Sequence, residues 1–186
     1  MLNELISQSE ALVFFTGAGI STNSGIPDFR GPKGIWKTSQ PIYFQDFVNS
    51  KEKRIESWER KFSNELNIHK AKPNQGHLKI AEIMNKKDLS HLITQNVDNL
   101  HQESGVSDSQ ITELHGNATY AKCLDCQLRY DLTELKESFL ENKEPPLCSA
   151  CSGLIKTATI SFGQPMPEKE MVIAQKKSVS CDLFIC

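Results

Sequence analysis

The sequence has no long apolar run. Its longest clearly apolar stretches, Ala11–Phe15 and Leu183–Cys186, are about the length of a buried strand, far short of the roughly 20 residues that a membrane-spanning helix needs. It also lacks an excess of charge of either sign: 21 Lys and Arg stand against 23 Asp and Glu, a formal net charge of −2. That balance argues against a protein that holds nucleic acid through its phosphates, which takes a basic excess. The start, Met1-Leu2-Asn3-Glu4, has no basic segment followed by an apolar one. No secretion signal is read there, and a cytoplasmic, reducing compartment is expected. Repeats and low-complexity tracts are missing too. With 38% hydrophobic and 24% charged residues among 186, the composition suits one domain with a modest core, with loops or polar helices around it.

Cysteine is present in a pattern. Cys123, Cys126, Cys148 and Cys151 form two C-x2-C pairs, while Cys181 and Cys186 flank the terminal apolar run. In a reducing compartment, two such knuckles read as a tetrahedral zinc site, with disulfides or unrelated thiols as the alternative. Four thiolates leave no open coordination position, so the ion would be structural. The intervening residues 127–147 exceed the usual ribbon spacing, so a helix is expected between the knuckles. Cys181 and Cys186 read as buried small hydrophobes.

Short strands are expected at Leu12–Thr16, His91–Thr94, Ile111–His115, Thr157–Phe162 and Asp182–Cys186. Helices are expected at His77–Lys87, at Val97–Ser104 with Gly105 as its stop, and from Pro167 to about Lys177. This alternation implies an α/β fold with a mostly parallel, doubly wound sheet. Two insertions interrupt it. Residues 33–74 read as a helical insert of short helices and loops. Residues 119–155 read as a zinc-binding module with an amphipathic helix near Leu132–Glu141. Segments 1–32, 75–118 and 156–186 would make a Rossmann-like core, with the cleft between it and the zinc module.

Three places carry chemistry. A strand ending in Gly17-Ala18-Gly19 lets backbone N–H groups approach a pyrophosphate, although the G-x-G-x-x-G pattern fails at Thr22 and a plain tight turn is the alternative. The continuation to Asp28, Phe29 and Arg30, held by Pro27, is polar sequence that a packed core does not need. At the C-terminal end of the second strand, Gln95, Asn96, Asp98 and Asn99 cluster where open α/β sheets bind ligands; helix capping by Asn96 or Asp98 is the alternative. His115 ends the third strand, where a histidine would face that crevice as a candidate acid or base.

Taken in order, G-A-G-I-S with G-I-P-D-F-R, then T-Q-N-V-D-N-L-H, L-H-G, the two C-x2-C pairs and I-S-F-G-Q resemble the sirtuins, NAD-dependent protein lysine deacylases. The resemblance covers nearly all of the chain. It implies that Gly17, Ala18, Gly19, Ile20 and Ser21 wrap the NAD pyrophosphate and ribose. Asp28, Phe29 and Arg30 would form a cofactor loop, with Phe29 shielding the reacting ribose. Trp36, Gln95, Asn96, Val97 and Asp98 would complete the cofactor site, Gln95 at the nicotinamide ribose and Asp98 at the carboxamide. Asn96, Asp98 and His115 would be catalytic, His115 as general base. Ile160, Phe162 and Gly163 would offer backbone to an extended acyl-lysine peptide. The acyl group would pass to ADP-ribose with release of nicotinamide. One structural zinc ion, acyl-lysine side chains of proteins as substrate, no nucleic-acid or membrane partner and a monomer when complete are the matching expectations. The rivals are a mono-ADP-ribosyltransferase and a non-catalytic NAD and zinc binding module.

The sequence departs from the family in three ways. The glycine-serine turn expected after a strand like Asp182–Cys186 is absent, so the chain reads as C-terminally truncated, and its 1–186 form is expected to bind NAD weakly and turn over slowly. Gln164 stands where an acidic residue follows F-G. Trp58-Glu59-Arg60-Lys61 replaces the Tyr-x-x-Arg pair that reads acidic acyl groups, which weakens a desuccinylase reading.

Overall fold

The structure, a computed structural model, describes residues 2–186 except Arg30, Pro32, Lys33, Ile35, Trp36, Thr38, residues 64–67 and the side chain of His69. Arg30 and Trp36, both expected at the cofactor, therefore lie outside the described residues.

Four short strands form the centre: β1 (Leu12–Thr16), β2 (His91–Thr94), β3 (Ile111–Glu113) and β7 (Leu183–Ile185). They run parallel in the order β3-β2-β1-β7. Alternate side chains of β1 point to opposite faces. Leu12 and Phe14 pack with Ile80, Ala81 and Met84 of α4 (Gln75–Met84), and Ile6 of α1 (Leu2–Gln8) joins them. Val13 and Ile93 pack on the other face against Ala174 of α7 (Glu168–Ser180). Both faces are thus covered, which is why β1 and β2 read as unbroken apolar runs.

Helix α4 starts two residues before its expected first residue. Asn74 caps it by accepting the Gly76 N–H at 2.8 Å, and His77 Nδ1 receives the Asn74 N–H at 3.3 Å. The helix after β2 is shorter than the expected Val97–Ser104. It spans only Leu100–Glu103 (α5), because Asn99 takes the left-handed conformation at φ 67. Gly105, at φ 99, follows it as expected.

A second sheet holds β4 (Gly116–Cys123), β5 (Arg129–Asp131) and β6 (Ile155–Thr159), antiparallel in the order β5-β4-β6. The stretch expected as a strand at 157–162 therefore pairs with β4 and does not extend the parallel series. Gly116 makes that possible. It sits at φ 71, and a Cβ there would lie 2.0 Å from the Ala158 carbonyl oxygen. The expected helix between the knuckles is α6 (Leu132–Asn142), capped by the Asp131 side chain, which accepts the Thr133 N–H at 2.7 Å.

The helical insert holds α2 (Phe44–Asn49) and α3 (Lys51–Phe62). Ser50 Oγ accepts the Lys53 N–H and starts α3. Trp58 of α3 is 1% exposed and shares one core with Ala121, Cys123, Leu135, Phe139 and Ile155. Phe62 bridges them, stacked on Trp58 at 5.3 Å and tilted against Phe139 at 5.8 Å between ring centroids. The insert and the cysteine-bearing sheet thus bury their apolar faces in each other. Among the described residues, no helix is long and apolar enough to cross a membrane.

Candidate active site and metal centre

Strand β1 delivers the chain into Gly17, in extended conformation, and then into a 3-10 turn from Ala18 to Ser24. A Cβ at Gly19 would meet nothing within 4 Å, and one at Gly17 only the Gln95 side chain at 3.6 Å. The turn therefore presents open space beside its backbone, which is the cradle a dinucleotide phosphate needs. Ile20 turns its side chain against the α4 core, so its contribution here is main chain. Ser21 is buried and donates to Asp98 Oδ2 at 2.6 Å.

The loop after β2 meets this turn. Gln95 is exposed, and its N–H continues the sheet ladder to Thr16 O at 3.0 Å. Asn96 and Asp98 are buried. Asn96 Nδ2 donates to Gly17 O at 3.0 Å and to Ser21 Oγ at 3.3 Å. Asp98 Oδ1 accepts the N–H of Leu100 at 3.0 Å, so Asp98 does support α5, the alternative weighed from its position, while Oδ2 serves the site. Val97, half-buried, accepts the Ala118 N–H from β4 at 2.8 Å.

His115 is half-buried, with Nδ1 2.9 Å from the carbonyl oxygen of Gln95. A carbonyl can only accept, so Nδ1 carries the hydrogen, which in the neutral ring leaves the lone pair on Nε2. The His115 carbonyl in turn accepts the Ile160 N–H at 2.8 Å, which ties the segment beyond β6 to the histidine. Phe162 and Gly163 follow, both exposed. The Phe162 carbonyl accepts the Phe44 N–H at 2.9 Å, and its ring lies 5.9 Å from that of Tyr43. Asp28 and Phe29 are half-buried, and Asp28 Oδ1 closes a local turn by accepting the Gly31 N–H. The described contacts therefore unite Gly17, Ser21, Gln95, Asn96, Asp98, His115 and Ile160. A groove of about 820 Å³ lies between β3 and the antiparallel sheet; it is lined by Asn99, Glu113, Asn117, Lys156 and Ile160, without Asn96, Asp98 or His115.

Two buried histidines under these loops were not read from the sequence. His77 Nε2 lies 3.4 Å from Ser21 Oγ, and His101 Nε2 lies 3.0 Å from Thr16 Oγ1. Their rings are 4.8 Å apart between centroids. Burial holds His77 below the usual histidine range against the opposing pull of Asp98. Burial, and then His77 itself, hold His101 down to about 3. His77 stands three residues after a capping Asn, and His101 three residues after Asp98, which is all the sequence offers toward them.

The four knuckle cysteines come together with all Sγ atoms within 4.8 Å of one another. Two cross-knuckle pairs, Cys123–Cys151 and Cys126–Cys148, are 3.5 Å apart. Sulfurs at about 2.3 Å from a tetrahedral zinc ion would be about 3.8 Å apart, so the donor set fits one structural zinc. A hydrogen bond from the Tyr130 hydroxyl, above all, lowers the Cys148 thiol to about 6.

A sequence model of the Sir2 family matches residues 17–186. The chain is 46% identical over 184 residues to an NAD-dependent protein deacetylase of Rhodopseudomonas palustris, covering 99% of this chain and 73% of that protein. It is similar to a solved Sir2–p53 peptide–NAD+ complex, with TM-score 0.79 and 35% identity over 98% of this chain and 72% of that one. A Sir2 complex with deacetylated p53 peptide and 3'-O-acetyl ADP ribose gives TM-score 0.83 and 34% identity, over 98% and 73%. The sequence match opens at Gly17, where β1 gives way to the glycine turn, and runs on through both sheets; the chain belongs to the Sir2 family.

Proposed function

We propose that the protein containing this chain is an NAD-dependent protein lysine deacetylase, in which His115 is the general base. The observation that carries the reading is the bond from His115 Nδ1–H to the Gln95 carbonyl, which leaves Nε2 as a proton acceptor beside the Asn96–Asp98 loop. NAD, when bound, supplies the ribose carbon that receives the acyl oxygen and nicotinamide as the leaving group. The Gly17–Ser21 turn would hold the diphosphate by its backbone. Asn96 and Asp98, fixed by Gly17 O, Ser21 and Leu100 N–H, would line the nicotinamide pocket, with Asp98 accepting from the carboxamide. Val97 would contribute main chain there, Gln95 would touch the ribose, and Phe29, in the same loop as Asp28, would shield it. His115 Nε2 would take the proton of a ribose hydroxyl, a step worth about 10²–10⁴-fold. Ile160, Phe162 and Gly163 would pair with an extended acyl-lysine peptide.

In this reading the core segments 1–32, 75–118 and 156–186 bind the dinucleotide, and 33–74 with 119–155 wall the substrate side. Four cysteines held as thiols rather than disulfides fit a reducing compartment, which supports a cytoplasmic location. The test compares wild type with His115→Ala on an acetyl-lysine peptide and NAD. Deacetylation should fall at least 100-fold, in line with the loss of a general base. A variant retaining near-wild-type turnover would refute the assignment.

A further inference from the structure

The two cysteine knuckles repeat one backbone pattern. In the first, the Cys123 N–H donates to Leu128 O at 3.0 Å, the Gln127 N–H donates to Cys123 O at 3.2 Å, and Gln127 is left-handed at φ 63. In the second, the Cys148 N–H donates to Gly153 O at 2.8 Å, the Ser152 N–H donates to Cys148 O at 2.8 Å, and Ser152 is left-handed at φ 61. Four residues past the last cysteine the likeness ends: Tyr130 occupies that place in the first knuckle, Ile155 in the second. The Tyr130 ring packs against the core shared by α3 and α6. Its hydroxyl crosses to the other knuckle, donates to Cys148 Sγ at 3.1 Å and accepts the Ser149 N–H at 2.9 Å. Ser149 Oγ lies 3.1 Å away as a second polar neighbour. The knuckles are also tied through main chain, Leu124 N–H to Leu154 O at 2.9 Å.

We propose that Tyr130 governs zinc retention, as a latch between the knuckles that donates to the Cys148 thiolate. Four thiolates around a divalent ion leave an excess of two negative charges, and each hydrogen bond donated to a sulfur stabilises that charge. The Ser149 N–H fills an acceptor position on the hydroxyl oxygen and fixes its place, so the O–H is held toward the sulfur. The hydroxyl also keeps Cys148 in reach of Cys126, so the second knuckle is positioned for the ion. Loss of such an outer partner typically weakens metal binding by about 10–100-fold.

The inference rests on the four-thiolate site and is independent of the deacetylase reading. Its test is zinc release from the zinc-loaded protein into an excess of colorimetric chelator, with affinity measured by competition. Tyr130→Phe removes one oxygen and keeps the ring; it should release zinc at least ten-fold faster than wild type. Ser149→Ala keeps the backbone N–H and should stay within about two-fold of wild type, since the latch survives. Tyr130→Leu, which loses ring and hydroxyl, should release at least as fast as Tyr130→Phe. Release from Tyr130→Phe within two-fold of wild type would overturn the proposal. So would retention by Tyr130→Phe with rapid loss from Tyr130→Leu, which would assign the effect to ring packing. Wild-type protein that takes up no stoichiometric zinc would overturn the site and the proposal together.

Discussion

Asp98 serves two partners at once, Ser21 Oγ–H on one oxygen and the Leu100 N–H on the other. Asp98→Ala would leave both buried donors unpaired, so unfolding free energy should drop by about 1–3 kcal/mol. Urea titration reads this, and an unchanged midpoint would contradict the double role. The buried histidines carry a second prediction. His101 is held at about 3 and His91 at about 4, both by burial first, whereas unfolded histidine titrates near 6.5. The folded chain then binds fewer protons than the unfolded one, so stability is full above about pH 6.5 and declines as pH falls from there toward 3. Urea midpoints at several pH values should show this decline, and His101→Gln should make it shallower; equal slopes would contradict it. The sequence exposes Asn96, Asp98 and His115 because each stands at a strand end beside polar neighbours. It hides the role of His77, because a histidine inside an apolar helical pattern looks the same whether it packs or supports a site, and that of His101, because nothing in Leu100–Glu103 tells which side chain turns inward.

At the scale of elements, β1 and β2 were legible as apolar runs entering glycine or polar turns. The boundaries that shifted did so for local reasons: Asn99 at φ 67 shortens α5, and the Asn74 cap lengthens α4 at its start. Strand β4 went unread because Gly116–Cys123 mixes polar and apolar residues without regular alternation, with one part packed and another open. Its pairing with β6 also displaced the expected fourth strand from the parallel sheet. Gly116 is where the two sheets part. Gly116→Ala would strain a backbone at φ 71 and drive a Cβ to 2.0 Å from Ala158 O. A loss of about 1–3 kcal/mol is expected from the backbone strain. Chemical denaturation showing wild-type stability would contradict that account of the crossing.

At the scale of the whole molecule, the two insertions read separately from the sequence share a core built on Trp58, Phe139 and the inner cysteines. No local pattern announces that α3 and the knuckles will meet, since the contact spans long sequence separations. Chelation of the zinc should therefore loosen α3 as well as the knuckles. In a Trp36→Phe background, the emission of Trp58 should shift to the red when the ion is removed; an unchanged spectrum would show the insert to be independent of the metal. Against both sheets, the glycine turn and the His115 loop meet at one place, and the claim drawn from it is chemical. Its most direct test is mass spectrometry of the products formed when the protein containing this chain is incubated with NAD and an acetyl-lysine peptide. The account predicts deacetylated peptide, nicotinamide and O-acetyl-ADP-ribose in equal amounts, with deacetylated peptide and O-acetyl-ADP-ribose formed at least 100-fold more slowly by His115→Ala. ADP-ribosylated protein without peptide turnover, or no NAD consumption by a zinc-loaded, folded wild type, would contradict it.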